Sequence, residues 1–398
     1  MTMDQEAEKA QIHSAPPNGA TGLSMTRVAY VIDSLRRHGT QTALVYLTNG
    51  LAERAYEQRV YCLNDVVDPD IRKRLASCGA GVVVIGKKRL MTFWGIRTVF
   101  LELRRWQPQI VQTFLPVADV IGRTVAHIAG IPVIVSSIRA RNIDKRCWQF
   151  LLDRITLRWV DRVVFNSQHA ITFSMQHEGV RAEQVVYIPN CVRVDPTGGA
   201  ATQAEVRLQL RIPLEARVIG TVGRLYWQKG HRYLLSAFAK VLAAVPDVQL
   251  VVIGDGPLRS QLEAEARRIG VIEQTWFLGE RADAPALLAA LDVYVQPSIY
   301  EGMPNSVMEA MAVGKPVIAT QVDGIRELIA HGETGWLVEA CNAEALAEQI
   351  IYALEHADEG ARIGAAAARR MRSDFSVDRM VGAYDQLYRN LLSCKQGC

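Results

Sequence analysis

The stretch IYEGMPNSVMEA, residues 299–310, places two carboxylates, Glu301 and Glu309, on either side of a Gly-Met-Pro-Asn segment. The apolar run DVYVQPS precedes it, and SVMEAMAVG follows it with helical spacing. Because Pro and Gly interrupt regular structure and Asn or Ser favours a helix start, we expect a strand, a tight loop and a helix beginning at about Asn305–Val307. That helix N-terminus would suit a phosphate, and the two acids could accept hydrogen bonds from sugar or ribose hydroxyls.

A second motif, GTVGRLYWQKGH at residues 220–231, carries Arg224 and Lys229 with glycines beside them. Close backbone approach together with positive charge suits a diphosphate, although a glycine-containing turn with two solvated cations remains an alternative. The run IGDGPLR begins like a dinucleotide fingerprint, but Arg259 stands where the third glycine belongs. No acid-ended strand follows at the spacing that would hold a ribose, so this run is a weak dinucleotide signal.

Length and composition limit the class of protein. A chain of 398 residues with 49% apolar residues predicts a globular protein of two domains. Residues 1–24 carry no apolar segment of the signal-peptide kind, so we expect a disordered tail there or a later start codon. We find no stretch long and apolar enough for a membrane span, and seven scattered cysteines favour a reducing compartment. The predicted location is cytoplasmic.

Charge is distributed unevenly along the chain. Residues 25–190 contain 23 Lys and Arg against 13 Asp and Glu, whereas residues 191–398 contain 21 against 25. The first half is therefore basic and the second mildly acidic, which suggests that the halves meet different partners.

Strand-like and helical segments alternate along both halves. Runs such as RVAYVID, PQIVQTFL and DRVVFNS recur in the first half, and RVIGTVGRL, VQLVVIGDG and KPVIAT recur in the second. Alternation of this kind predicts parallel sheets, and a Gly-, Pro- and Thr-rich run, DPTGGAATQ, separates the halves. We therefore expect an α/β protein of two tandem doubly wound, Rossmann-like domains facing across a cleft. Ligands of such sheets bind beyond the carboxyl ends of the strands, where both motifs lie.

Taken together, the motifs resemble the family 4 glycosyltransferases, which are retaining enzymes of the GT-B fold that use nucleotide-sugar donors. The match is most specific between residues 218 and 338, where GTVGRLYWQKG, VVIGDGP, FLGE, VQPSIYEGMPNSVMEAMAVGKPVIAT, DGIRELI and GETGWLV follow the family order. The resemblance implies an acceptor-binding domain at 25–190, a donor-binding domain at 191–372, and a closing helix at 373–398 that packs back on the first domain.

The resemblance also implies roles for individual residues. Arg224 and Lys229 would hold the nucleotide diphosphate and offset the charge on the leaving group. Glu301 would bond donor-sugar hydroxyls, and Glu309 would hold the ribose. The remaining donor-binding positions would be Gly39, Gly302, Met303, Pro304, Asn305 and Ser306. We expect no cofactor and no metal beyond the nucleotide-sugar co-substrate.

Two departures from the family pattern concern the first domain. The N-terminal glycine-rich loop is reduced to RRHGTQT, so Gly39 alone would approach the phosphates. The His that many members carry after the strand matching PVIVSSI is absent, and Arg139 and Arg141 stand there instead. Arg139 or His38 is the candidate for that acceptor-side position. The family has no settled enzymatic nucleophile, so we assign no general base.

The partners that we expect are a nucleotide sugar and a glycan or lipid-linked acceptor. A basic segment, residues 139–162, places apolar residues at 148, 151, 152, 155 and 159 on one helical face. Packing of that face on the sheet is the favoured interpretation, and contact with an anionic membrane surface is the alternative. No aromatic–basic motif for nucleic acid is present. Three alternative functions remain: a nucleotide-sugar epimerase, a NAD-binding oxidoreductase and an inactive interaction protein. The sequence does not determine the nucleotide, the sugar or the acceptor. A UDP-sugar is the donor we expect.

Overall fold

A computed structural model describes residues 25–86, 93–139, 145–193 and 202–396. The expected disordered tail at 1–24, nearly all of the DPTGGAATQ linker, and Arg141 lie outside these residues. Within them the chain forms two parallel sheets with helices on both faces, as the alternation of segments predicts.

The first sheet has, in the described part of the chain, seven parallel strands in the order β3-β2-β1-β4-β5-β6-β7. These strands are β1 Thr26–Ile32, β2 Tyr56–Cys62, β3 Gly81–Val84, β4 Ile110–Phe114, β5 Val133–Ile138, β6 Arg162–Phe165 and β7 Val185–Tyr187. The order reverses between β1 and β4, and ligands of open α/β sheets bind at such a reversal.

The second sheet has six parallel strands within the described residues, in the order β10-β9-β8-β11-β12-β13. Its strands are β8 Arg217–Val222, β9 Val248–Ile253, β10 Thr275–Gly279, β11 Val293–Gln296, β12 Val317–Thr320 and β13 Trp336–Val338. The reversal here falls between β8 and β11, and the loops that follow these two strands contain both sequence motifs.

Helices lie between successive strands, and three more follow β13, the last strand of the described residues. Those of the first half are Gly39–Ala52, Pro69–Ser77, Phe93–Trp106, Pro116–Ala129, Cys147–Thr156 and Gln168–His177. Those of the second half are Gln203–Leu210, His231–Ala244, Arg259–Arg268, Ala284–Leu287, Asn305–Ala312, Asp323–Leu328, Ala343–Glu355, Ala357–Asp374 and Val377–Gln396. Each sheet is covered on both faces, which explains why its strands read as continuous β-branched runs.

The last helix, Val377–Gln396, belongs by position to the second half but packs on the first. Its side chains Val381, Tyr384 and Tyr388 are buried in one cluster with Val28 and Leu44 of the first domain. The burial of two tyrosines and a valine links the halves by a large apolar contact, because each such side chain contributes about 1.5–3 kcal/mol when fully buried.

The helix Cys147–Thr156 does not bury the apolar face that its sequence outlines. Trp148 is 56% exposed, Leu151 58% and Ile155 40%, so the favoured interpretation of that face as packed on the sheet is wrong for these three residues. The helix instead rests on Pro116–Ala129 through its other side, which carries the buried Asp153 and Thr156. In the part of the chain that the structure describes, no helix is both long and apolar enough to cross a membrane.

Candidate active site

A cavity of about 900 Å³ lies between the carboxyl ends of the two sheets. Loops from both halves form its walls, including those after β1 and β2 on one side and those after β8, β9, β10 and β11 on the other. Of the twelve predicted site residues eleven line it, namely His38, Gly39, Arg139, Arg224, Lys229, Glu301, Met303, Pro304, Asn305, Ser306 and Glu309. The fold therefore brings together residues that lie up to 271 positions apart in the chain, from His38 to Glu309.

Gly302 is the predicted site residue that does not line the cavity. Its backbone packs against Gly324 instead: the carbonyl oxygen of Gly302 lies 1.5 Å from the point where a Cβ on Gly324 would stand. Only a glycine at 324 can admit that carbonyl, so the DGIREL helix supports the loop of the acidic motif from behind.

Lys229 and Glu301 form an ion pair at the centre of the second-half wall. The Nζ of Lys229 lies 2.5 Å from Oε1 of Glu301. Glu301 is only 7% exposed, and the same oxygen accepts hydrogen bonds from Ser298 Oγ at 2.7 Å and Gln296 Nε2 at 3.3 Å. Three donors converge on one carboxylate oxygen, so the side chain of Glu301 is held in one orientation.

The helix of the acidic motif begins at Asn305, as the sequence predicts, with Pro304 at its N-cap position. Glu309 follows one turn later and lines the cavity, and its carboxylate has no hydrogen-bond or ion-pair partner among the residues that the structure describes. Burial raises the pKa of Glu309 to about 7. A carboxyl group that is desolvated and unpartnered beside an open cavity is suited to bind a ligand with hydroxyl donors.

Arg224 and His38 meet where the two halves approach each other. Burial lowers the pKa of His38, and the charges of Arg224 and Arg36 lower it further, so this imidazole is held neutral near pH 7. Arg224 is solvent-exposed and stacks over the ring of Tyr226 at 5.4 Å. A neutral histidine flanked by two arginines gives this side of the cavity a positive potential, which suits an anionic ligand.

The glycines of the GDG run serve packing. A Cβ on Gly254 would lie 2.0 Å from the carbonyl oxygen of Gly223, and one on Gly256 would lie 2.4 Å from that of Leu225. The loop after β9 thus needs glycine to pass close to the loop after β8. This contact accounts for the resemblance to a dinucleotide fingerprint and positions Gly223 and Arg224 at the cavity.

Arg139 lines the cavity, but its guanidinium is already hydrogen-bonded. It donates to Asn190 Oδ1 at 2.5 Å and to the hydroxyl of Tyr384 at 3.1 Å. Asn190, 4% exposed, donates in turn from Nδ2 to the Met303 carbonyl at 3.0 Å and to Asn305 Oδ1 at 2.9 Å. Arg139 is thus linked to the acidic motif through Asn190, and the acceptor-side role of Arg139 or His38 remains a prediction.

Asn190 is a site residue that sequence reasoning missed. It stands just before Cys191 in the junction between the halves, and it is bonded on one side to the first half and on the other to the loop after β11. The signal available in the sequence was the Pro-Asn pair at the end of YIPN, which marks a turn without saying what the amide would contact.

We expect Asn190→Ala to lower the free energy of unfolding by about 2–3 kcal/mol, because buried polar groups of Arg139, Asn166 and Asn305 lose a partner together. Urea titration followed by circular dichroism measures the loss. Asn166→Ala, which removes the single bond from Asn166 Nδ2 to Asn190 at 3.1 Å, is the matched control and should cost less. Equal losses for the two variants would contradict the central role of Asn190.

The side chains that could hold a ligand here are cations and carboxylates, and the carboxylates can accept hydrogen bonds from ligand hydroxyls. No group of three or more His, Cys, Asp or Glu with the geometry of a metal site occurs within the described ranges. The arrangement can do two things chemically: Arg224, Lys229 and the N-terminus at Asn305 can bind an anion, and Glu301 and Glu309 can accept hydrogen bonds from hydroxyls.

Two Rossmann-like domains with their strand ends facing a shared cleft define the GT-B class of fold. Solved structures of similar fold bear this out. A structure of Anabaena HepE in complex with UDP and glucose has a TM-score of 0.79 and 24% sequence identity, covering 92% of this chain and 100% of that chain. Sucrose-phosphate synthase from Thermosynechococcus elongatus has a TM-score of 0.76 and 18% identity, covering 93% and 100%.

Two family models match adjacent parts of the sequence. "Glycosyltransferase Family 4" matches residues 37–196, and "Glycosyl transferases group 1" matches residues 202–370. The chain belongs to the family 4 glycosyltransferases, as its motifs predict.

Curated relatives resemble part of the chain. A 2-deoxystreptamine glucosyltransferase of Streptomyces kanamyceticus is 30% identical over 57% of this chain and 63% of its own length. The UDP-Gal:alpha-D-GlcNAc-diphosphoundecaprenol alpha-1,3-galactosyltransferase of Escherichia coli is 25% identical over 61% of this chain and 65% of its own length. The chain thus spans somewhat less than two thirds of the length of these relatives.

Proposed function

We propose that this protein transfers a sugar from a nucleotide diphosphate donor to a glycan or lipid-linked acceptor, with retention of the anomeric configuration. The observation that carries the proposal is the cluster of Arg224, Lys229 and Glu301 beside the helix N-terminus at Asn305. All of these lie on one wall of the cavity between the two Rossmann-like domains. Each group has the charge that one part of a nucleotide sugar requires.

The proposed mechanism follows from where charge develops. Cleavage of the anomeric C–O bond leaves positive charge on the sugar and a nucleotide diphosphate with an additional negative charge. The acceptor hydroxyl would form the new C–O bond from the same face of the sugar, and its proton would pass to the leaving diphosphate. Arg224, Lys229 and the N–H groups at Asn305 would stabilise that anion as it forms, without reorganising. Glu301, fixed by Ser298 and Gln296, would orient the sugar through its hydroxyls, and Glu309 would bind the ribose.

We infer that the donor is a UDP-sugar and that the product belongs to polysaccharide, lipopolysaccharide or glycolipid synthesis. UDP occupies the solved HepE structures, and the E. coli relative is named for a UDP-sugar and a diphosphoundecaprenol acceptor. A lipopolysaccharide core biosynthesis mannosyltransferase of Rhizobium meliloti is 29% identical over 48% of this chain. These names support the inference as properties of similar proteins.

Thermal stabilisation by UDP, GDP, ADP, CMP and NAD, each added to wild type and to Lys229→Ala, tests the donor. A ligand present at 100 times its dissociation constant adds about 2.7 kcal/mol to the folded state. We expect UDP to raise the melting temperature of wild type and much less that of the variant. A shift with NAD alone would favour the oxidoreductase, and conversion of a UDP-sugar to its epimer without transfer would favour the epimerase.

Affinity for a UDP-sugar should rise with pH through about 7. Below that pH Glu309, whose pKa burial raises to about 7, is protonated and must lose its proton to serve as a carboxylate acceptor for ribose hydroxyls. Above it the carboxylate is already formed, so binding is favoured. Calorimetric titration of UDP-glucose between pH 6 and 8 measures the slope. Glu309→Gln should bind more weakly and with no such slope; an unchanged slope would remove Glu309 from the ribose site.

We further propose that the first domain rests on an anionic membrane surface. Three helices that pack side by side, Phe93–Trp106, Pro116–Ala129 and Cys147–Thr156, form the exposed helical face. Its large apolar side chains are more than one third exposed: Trp94, Ile96, Leu101, Val117, Ile128, Trp148, Leu151 and Ile155. Its exposed charges are cations: Arg97, Arg104, Arg105, Arg146 and Arg154. Exposed Trp, Leu and Ile surrounded by Arg match an anionic lipid interface.

Flotation with vesicles of anionic lipid tests this surface. We expect wild type to float at low salt and the double variant Trp148→Ser, Leu151→Ser to lose most of that binding, because two inserting side chains are removed. Leu208→Ser is the matched control, since Leu208 is 64% exposed on the second domain, outside the exposed helical face. Failure of wild type to float with anionic vesicles would end the membrane proposal and leave the transferase proposal standing.

A further inference from the structure

One corner of the cavity lies away from the ion pair of Lys229 and Glu301 and belongs to the first domain. The helices Gly39–Ala52 and Pro69–Ser77 pack together there and present Tyr46 and Arg74 to the cavity. The guanidinium carbon of Arg74 lies 5.7 Å from the centre of the Tyr46 ring, and Arg37 lines the cavity beside them. We call Arg37, Tyr46 and Arg74 the Arg74 corner.

Arg74 is one of four arginines around the cavity that have no carboxylate partner among the described residues, together with Arg36, Arg139 and Arg224. The other cavity cations do have one. Lys229 pairs with Glu301 at 2.5 Å, and Arg281 pairs with Asp283 at 2.7 Å. Asp68 and Asp70, close to Arg74 along the chain, lie 3.5 and 3.8 Å from Arg37 instead. No acid of the described residues lies within ion-pair distance of Arg74, so its charge is balanced only by solvent and by the face of Tyr46.

Tyr46 connects this corner with the second domain. Burial raises the pKa of the Tyr46 phenol, the charge of Arg74 lowers it, and the charge of Glu309 raises it. The phenol therefore stays protonated at neutral pH and can donate a hydrogen bond. Tyr46 and Glu309 both line the cavity, so the corner faces the wall on which the proposed donor would bind.

The donor set of the Arg74 corner suits a phosphate. A guanidinium offers a planar pair of N–H donors that match two phosphate oxygens, and a phenol adds a third donor. A neutral sugar hydroxyl would leave the charge of Arg74 unbalanced in a half-buried position. The diphosphate of the donor already has Arg224 and Lys229 in the proposed function.

We propose that the Arg74 corner binds a phosphate group carried by the acceptor, so that this protein glycosylates a phosphorylated acceptor. The proposal rests on the proposed function for its donor, but the phosphate site itself depends only on residues of the first domain. A soluble sugar phosphate and a lipid-linked phosphate share this chemistry.

Calorimetric titration of the full chain, saturated with UDP, tests the site. The probes are N-acetylglucosamine 1-phosphate, farnesyl diphosphate and unphosphorylated N-acetylglucosamine. We expect a phosphorylated probe to bind and Arg74→Gln to weaken that binding by about 10-fold or more, the loss of a hydrogen bond to a charged group. Arg72→Gln is the matched control, since Arg72 is exposed on the same helix and does not line the cavity. Neither variant should change the affinity for UDP.

The outcomes separate the hypotheses. Tighter binding of farnesyl diphosphate would identify a lipid-linked acceptor, and tighter binding of the sugar phosphate a soluble one. Equal binding of N-acetylglucosamine with and without phosphate, or equal losses in Arg74→Gln and Arg72→Gln, would overturn the proposal. If UDP itself failed to bind wild type while Arg74 still governed phosphate binding, the proposed function would fall and the phosphate site would stand.

Discussion

Lys229→Ala is expected to lower sugar transfer on the order of 10²- to 10³-fold, because it removes a preorganised positive charge that would stabilise the developing anion. Lys229 is the cation held nearest to Glu301, 2.5 Å from its Oε1, and it lines the cavity beside the start of the helix Asn305–Ala312. Release of UDP from the donor identified by thermal stabilisation measures the loss. The effect should fall on kcat more than on KM, because the charge that Lys229 would offset grows in the transition state.

The control for this variant is Lys240→Ala. Lys240 is an exposed lysine of the helix His231–Ala244 that pairs with Glu344 outside the cavity. The Lys240→Ala variant should transfer sugar at the wild-type rate, since an exposed ion pair contributes little to stability. Circular dichroism should report a folded chain for both variants, because Glu301 retains the hydrogen bonds from Ser298 and Gln296 when Lys229 is removed. Wild-type transfer by Lys229→Ala would remove it from the mechanism.

Glu301→Gln should lower transfer by a factor on the order of 100, since its carboxylate is the part of the site that both orients the proposed sugar and holds Lys229 in place. The amide keeps the size of the side chain and can still accept from Ser298, so the loop should stay folded. Initial rates at saturating and at limiting donor separate orientation from binding.

Glu265→Gln serves as the control for this second variant. Glu265 is an acid of the helix Arg259–Arg268 that pairs with Arg268 at 2.6 Å and does not line the cavity. If Glu301→Gln transferred sugar as fast as Glu265→Gln, the carboxylate would not contact the donor. The double variant Lys229→Ala, Glu301→Gln should lose less than the product of the two single losses, because the two groups act as a unit.

Local sequence patterns determined the elements of this protein and the identity of the motif residues. The β-branched runs of β1, β4 and β8 form strands because each is buried on both faces of a parallel sheet. The helix at Asn305 begins where Pro and Asn direct it to begin. Acid, cation and glycine motifs could be found at strand ends because parallel sheets bind ligands there.

Only the tertiary structure decided which side chains face one another. The pairing of Lys229 with Glu301, the bonds of Asn190, and the approach of Tyr46 to Arg74 all join residues on different elements. The same holds for Trp148 and Leu151, whose helical spacing is compatible with either burial or exposure. Periodicity reports which residues share a face of a helix, but the neighbour of that face is set by the packing of the whole chain. The elements of this protein are therefore local properties of its sequence, and the geometry of its cavity is not.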